Sequence, residues 1–239
     1  MTTPPLADRI ILITGASRGL GRAVAVACAG RGAQVICVAR TQGGLEETDD
    51  LVKDAGGMPA VLVPMDLRQS PSVETLGAAI AERFGRLDGL VSAAGQLGEL
   101  SPIAHLQPKV LAASVELLLL VNHRLIRSFD PLLRAASEAR AVFVTGSATA
   151  ADRPFWSAFA ASCAGLDALV RAYAAETAKT SLKVNAYDPG PMRTRLRAAA
   201  YPGEATERVP MPEEKVAGLL TLLGPDCPCH GQRIISPPA

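Results

Sequence analysis

The segment TGASRGLG, residues 14–21, carries glycines at spacings of four and two. Set between an apolar strand and a helix, such a turn can hold a pyrophosphate. Gly15 would make the tight bend, Gly19 would let the backbone approach the ligand, and Gly21 would let the helix pack against the strand. The exposed N–H groups from Ser17 through Leu20 and the helix dipole then face the phosphates. A second cue lies in VART, residues 38–41. An acid at the end of a second strand would hold a ribose 2′-hydroxyl, but this chain has Ala39 and Arg40 there. Arg18 lies inside the glycine turn itself. Two guanidinium groups suit a 2′-phosphate, so NADP is expected rather than NAD.

A second candidate region is SAFAASCAGLDAL, residues 157–169. Phe159 and Cys163 are four apart and share one face of a helix. Neither offers a strong proton donor or a stable positive charge. The thiol would become a nucleophile only with a depressed pKa, and no cation is placed beside it, so inert packing is expected. Tyr173 lies about 21 Å further along the same helix, out of reach of Phe159, and Lys179 points elsewhere. Tyr187 and Asp188, at the carboxyl edge of a strand, are better placed to stand in, although structural roles are expected for both. Phe155 and Trp156 are expected to line a substrate pocket. CPCH, residues 227–230, packs three metal-binding side chains into four residues. Structural zinc sites need wider spacing and a second cluster, so a surface turn and no metal are expected.

These residues must be positioned by an alternating series of elements. RIILIT (9–14), AQVICVA (33–39), PAVLVPM (59–65), LDGLVSA (87–93), RAVFVTG (140–146) and LKVNAY (182–187) read as buried strands. Amphipathic stretches lie between them, one opened by Ser70 as a cap and Pro71 in the first turn. A long one runs from about Ile103 to Glu138 and contains the apolar run VELLLLV, expected to be buried. EEKVAGLLTLL (213–223) reads as a last helix and GQRIIS (231–236) as a last strand. The order predicts one α/β domain over 1–239, a doubly wound Rossmann-type parallel sheet with helices on both faces. The Pro-rich segment 191–212 is expected to cap a pocket. A net charge of +1 gives no case for nucleic acid or an anionic membrane. No apolar run of ~18 residues implies a membrane span. Five sparse cysteines suggest free thiols in a reducing cytoplasm.

RIILITGASRGLG, MDL (65–67), LDGLVSAAG (87–95) and VNAYDPGPMRT (184–194) occur in the order and spacing of the short-chain dehydrogenase/reductase family, which the chain resembles over nearly its full length. The resemblance implies NADP(H) and a small-molecule carbonyl or alcohol substrate. It also implies that Asp66 and Leu67 sit near the adenine and that Ala94 and Gly95 flank the cofactor. Ala93 replaces a strand-bracing Asn. Asn122 matches a helix Asn that holds a proton-relay water, and Pro189, Gly190 and Thr194 match the segment that closes on the nicotinamide. The family's Tyr-x-x-x-Lys falls on Phe159 and Cys163. Its catalytic serine falls on Gly146 by the usual gap of thirteen, or on Ser147 if the loop is one residue shorter. Two functions follow as expectations: an oxidoreductase with weakened catalysis, or an inactive NADP(H)-binding sensor or partner subunit. The family's assembly implies a homodimer or homotetramer through helices 103–138 and 157–179.

Overall fold

The computed structural model describes residues 5–69, 71–146 and 153–237. Seven parallel strands form one sheet: β1 (Ile10–Thr14), β2 (Gln34–Ala39), β3 (Val61–Pro64), β4 (Gly89–Ser92), β5 (Arg140–Val144), β6 (Lys183–Asp188) and β7 (Arg233–Ile235), in the order β3-β2-β1-β4-β5-β6-β7. The strands are mostly apolar because both faces are covered. In β1 the period of two sends Ile10 and Leu12 to one face and Ile11 and Ile13 to the other. The first face packs on α3 (Ser72–Phe84), α5 (Val121–Ala135) and α6 (Ser157–Thr177). The second packs on α1 (Gly19–Ala29), α2 (Gln42–Asp54) and α8 (Val216–Leu223). In α5 the buried Leu125, Phe129, Leu132 and Leu133 recur at helical spacing and define its inward stripe.

The long segment from Ile103 is not one regular helix. A single 3-10 turn (Ile103–His105) precedes α4 (Pro108–Val115), and a π-helical turn (Glu116–Leu120) joins α4 to α5. The apolar run within it is not buried as expected: Leu118 is buried, whereas Leu120 is 43% exposed. Successive residues stand about 100° apart around a helix, so one face cannot take four consecutive leucines. Pro71 occupies the cap position of α3 rather than its first turn, and Ser70 lies outside the described residues. After β6 the Pro-rich segment contains a short helix, α7 (Arg195–Ala200).

CPCH is also more than a surface turn. Cys227 is buried, and His230 clips α6 to β6: its Nδ1 accepts from the Val184 N–H at 3.1 Å, and its Nε2–H donates to the Ala174 carbonyl at 2.8 Å. No group of His, Cys, Asp and Glu side chains among the described residues is arranged to hold a metal. No helix among them is long and apolar enough to cross a membrane.

Candidate functional site

The order of the sheet reverses between β1 and β4, and a crevice opens at their carboxyl ends. There a cleft of about 870 Å³ is lined by the glycine turn, the ends of β2, β4 and β5, the start of α6 and the segment after β6. Gly15, at φ +70°, has no room for a side chain: a Cβ would lie 2.8 Å from the Ala93 carbonyl oxygen and 2.9 Å from Ala94 Cα. At Gly21 a Cβ would come within 2.7 Å of the Gly15 carbonyl carbon. The turn is therefore pressed against both β4 and its own helix. Arg22 pins it from beneath, donating to the Ser17 carbonyl at 2.5 Å and pairing with Glu47 at 2.6 Å. Helix α1 begins at Gly19 with no side-chain cap among the described residues and no acid in its first turn. Its N–H groups are left for an anion. Arg18 and Arg40, both exposed, line the same end of the cleft.

The strand bracing expected of an Asn at position 93 is supplied by another side chain. Thr14 Oγ1 accepts from the Ala93 and Ala94 N–H groups at 3.1 and 3.2 Å, bracing β4 against β1. Asp66 lines the cleft, but its carboxylate is gripped by Arg68, with Nε to Oδ1 at 3.0 Å and Nη2 to Oδ2 at 2.6 Å. Those hydrogen bonds hold the Asp66 pKa down, from 3.8 to about 2. A folded value below the unfolded one stabilises the fold above about pH 4, and the gain is lost as pH falls toward 2. The stability gap between wild type and Asp66→Asn, measured by denaturant unfolding, is thus expected at neutral pH and to close across that acid window.

At the far end Phe159 and Cys163, one turn apart on α6, both face the cleft. They pack on Gly146 at the end of β5. A Cβ added there would lie 2.9 Å from Phe159 Cζ and 3.0 Å from Cys163 Sγ, and closer still to Phe159 Cε1. Burial pushes the Cys163 thiol up to about 11. Contrary to the sequence reading, a cation does lie nearby. Arg233 on β7 lowers the Cys163 pKa, but burial outweighs it and the thiol stays protonated.

Arg233 pairs with Asp167 at 2.6 Å and Asp188 at 2.9 Å, and it also donates to the Gly146 carbonyl. Asp188 in turn accepts from the Gly190 N–H at 3.0 Å. One guanidinium thus ties α6, β5 and β6 beneath the cleft. Arg233→Met would leave the buried Asp167 and Asp188 without their paired guanidinium, with only the field of Arg171 still acting on Asp167. We expect a loss of about 3 kcal/mol in urea unfolding, at the low end of the usual range because the guanidinium side chain is 29% exposed.

Comparison with known proteins agrees with this geometry. The family model described as short chain dehydrogenase matches residues 9–205. The chain belongs to the short-chain dehydrogenase family. It is 32% identical over 223 residues to the oxidoreductase YciK of Escherichia coli K12, covering 92% of this chain and 88% of the relative. A crystal structure of a short chain dehydrogenase from Escherichia coli CFT073 complexed with NADPH superposes with a TM-score of 0.91 at 30% identity, covering 98% and 99% of the two chains. One from Shigella flexneri complexed with NADP gives 0.92 at 29% identity, covering 98% and 99%.

In this short-chain dehydrogenase every cofactor residue expected from the sequence lines the cleft: Gly15, Ser17, Arg18, Gly19, Leu20, Gly21, Arg40, Asp66, Leu67, Ala94, Gly95, Pro189, Gly190 and Thr194. Asn122 does not reach the lining. It is buried beneath the π turn, where its Nδ2 donates to the Leu118 carbonyl at 2.9 Å, and its Oδ1 has no partner among the described residues. Ser147 lies outside the described residues. Tyr187 is fully buried and donates to the Lys215 carbonyl at 2.7 Å, and the Tyr173 hydroxyl bonds Asp130 at 2.8 Å, so neither phenol serves the cleft. Trp156 lines the cleft, whereas Phe155 projects to solvent at 54% exposure. The sequence reading missed Arg68, Arg153 and Tyr201. Arg153 and Tyr201 are 48 residues apart, and nothing local links them.

Proposed function

We propose that this short-chain dehydrogenase binds NADP(H) and acts on a small carbonyl or alcohol compound without the usual phenol and amine. The observation that carries the reading is the open, uncapped start of α1 with Arg18 and Arg40 beside it. When bound, the cofactor supplies or accepts a hydride at its nicotinamide. The turn from Ser17 to Gly21 would hold the pyrophosphate, and Arg18 and Arg40 the 2′-phosphate. Asp66 and Leu67 would flank the adenine, with Asp66 oriented by Arg68. Ala94, Gly95, Pro189, Gly190 and Thr194 would border the nicotinamide, and the 191–212 segment would cap the substrate.

By the resemblance, Phe159 and Cys163 would take the positions of the proton donor and its cation, and the serine's position would fall on Gly146 or Ser147. Phe159 shields that end from water but moves no proton, so the reaction forgoes the roughly 10²–10⁴-fold gain of general acid catalysis. Titrating NADPH by fluorescence tests the cofactor reading. Saturable binding in the micromolar range is expected, to be lost in Gly15→Ala, whose Cβ would collide with β4. Turnover of a carbonyl panel above that variant's rate supports an enzyme.

The second reading is an inactive NADP(H) sensor or partner subunit. It is favoured by the interlock of Gly146, Phe159 and Cys163, which fills the space a serine side chain would need. Saturable binding with no turnover would select it. The free thiols suit a reducing cytoplasm. Half-exposed leucines such as Leu111 and Leu120, on α4 and the π turn, suit a homodimer or homotetramer formed through these helices and α6.

A further inference from the structure

We infer that the far end of the cleft selects a planar aromatic carbonyl compound bearing a carboxylate remote from the carbonyl. The inference rests on the cofactor reading above and adds the substrate class. Three rings stand in a row along one wall. Trp156 meets Phe159 edge-on, with centroids 5.9 Å apart and planes at 78°. Tyr201, immediately after α7, follows Trp156 at 5.9 Å and 36°. All three line the cleft, and Phe159 and Trp156 are only partly buried, so ring surface stays open to a ligand. Such a wall favours a flat π-system, stacked or edge-on, over a flexible aliphatic chain.

The row ends in positive charge. Arg197 lies over the Tyr201 ring with Cζ 4.2 Å from its centroid, and Arg153 lies 5.7 Å from it while donating to the Tyr201 hydroxyl. The two guanidinium groups are not equivalent. Arg197 is held by Glu204 through contacts of 2.5 and 2.8 Å, so its charge is matched within the protein. Arg153 is exposed, and among the described residues its bond to Tyr201 uses one of five N–H donors. Its planar fork fits a carboxylate through two parallel bonds. The carbonyl belongs at the Phe159 end, beside Gly146 and the Gly190 segment. Two ring spacings then separate it from Arg153, so the acid must sit across an aromatic body from the reacting carbon.

Trp156 is the one tryptophan in the chain, so intrinsic fluorescence reports this wall without turnover. Protein saturated with NADP⁺, which cannot deliver hydride, is titrated with 4′-formylbiphenyl-4-carboxylate, whose two rings match the two ring spacings, and with uncharged 4′-methylbiphenyl-4-carbaldehyde. Binding of the acid about tenfold tighter is expected, as one charge-assisted contact provides. Arg153→Met should bring the two affinities within about twofold, Arg153→Lys should keep part of the preference, and Tyr201→Leu should weaken both ligands. Equal affinities in the wild type, or a preference that survives Arg153→Met, overturn the inference. Saturable NADP⁺ binding with neither aldehyde bound also overturns it and leaves the cofactor reading standing. Failure of NADP⁺ itself to bind overturns both.

Discussion

Phe159→Tyr combined with Cys163→Lys raises NADPH-dependent reduction of an activated aldehyde by about 10²–10⁴-fold over wild type, the span that a positioned general acid contributes. Both side chains already face the cleft, one helical turn apart, so the new phenol and ammonium enter on the correct face of α6. The surroundings suit a cation at 163. Asp167 and Asp188 place two carboxylates in the network below Cys163, held by Arg233, and an ammonium at 163 would be attracted to them. That ammonium lowers the phenol's pKa, as a donor working near neutrality requires. Phe159→Tyr alone gains less, because its phenol lacks the cation. Adding Gly146→Ser is expected to cost about 1–3 kcal/mol of stability, since a Cβ at 146 forces the 159 ring to shift. Steady-state rates and NADPH affinities of the three variants check this. A double variant that binds NADPH as wild type does, yet turns over no faster, would show that the rest of the site no longer supports hydride transfer.

Arg40→Ala and Arg18→Ala each weaken NADPH binding by about ten- to a hundredfold and leave NADH nearly unchanged. The argument is local. β2 ends at Ala39 and is followed by Arg40 instead of an acid, and α1 is entered through Arg18, so both guanidinium groups stand at the edge where a 2′-phosphate would project. Each removes a charge-assisted hydrogen bond that only the phosphorylated ribose can make. Added salt should erode wild-type affinity for NADPH more than for NADH, because these charges are exposed. Calorimetric titration of both cofactors decides the point. Equal losses for NADPH and NADH would place the arginines on the shared pyrophosphate.

The residues near the glycine turn were legible because the chemistry there is local. A turn of eight residues, the strand before it and the helix after it determine where the N–H groups point, and Gly15, Gly19 and Gly21 reveal that geometry in one dimension. A parallel sheet followed from the alternation of buried runs with amphipathic ones, since parallel strands need crossovers. The identities at 159 and 163 were equally plain, because a spacing of four on a helix puts two side chains on one face whatever they are.

What the sequence left open depended on elements meeting in space. No local pattern brings Arg233 of β7 under Cys163 of α6, and only the sheet order makes them neighbours. The same holds for Arg153 and Tyr201, joined when the segment after β6 folds back over the start of α6. Asn122 shows the converse. The resemblance gave it a relay water to hold, but after the π turn its side chain is buried and bonds the Leu118 carbonyl. The sequence alone therefore determined the fold, the glycine turn and the placing of a ring and a thiol on one face of α6. Tertiary structure alone decided which charges surround that pair and which rings line the far end of the cleft, because through-space electrostatics and packing depend on distances that chain separation does not encode.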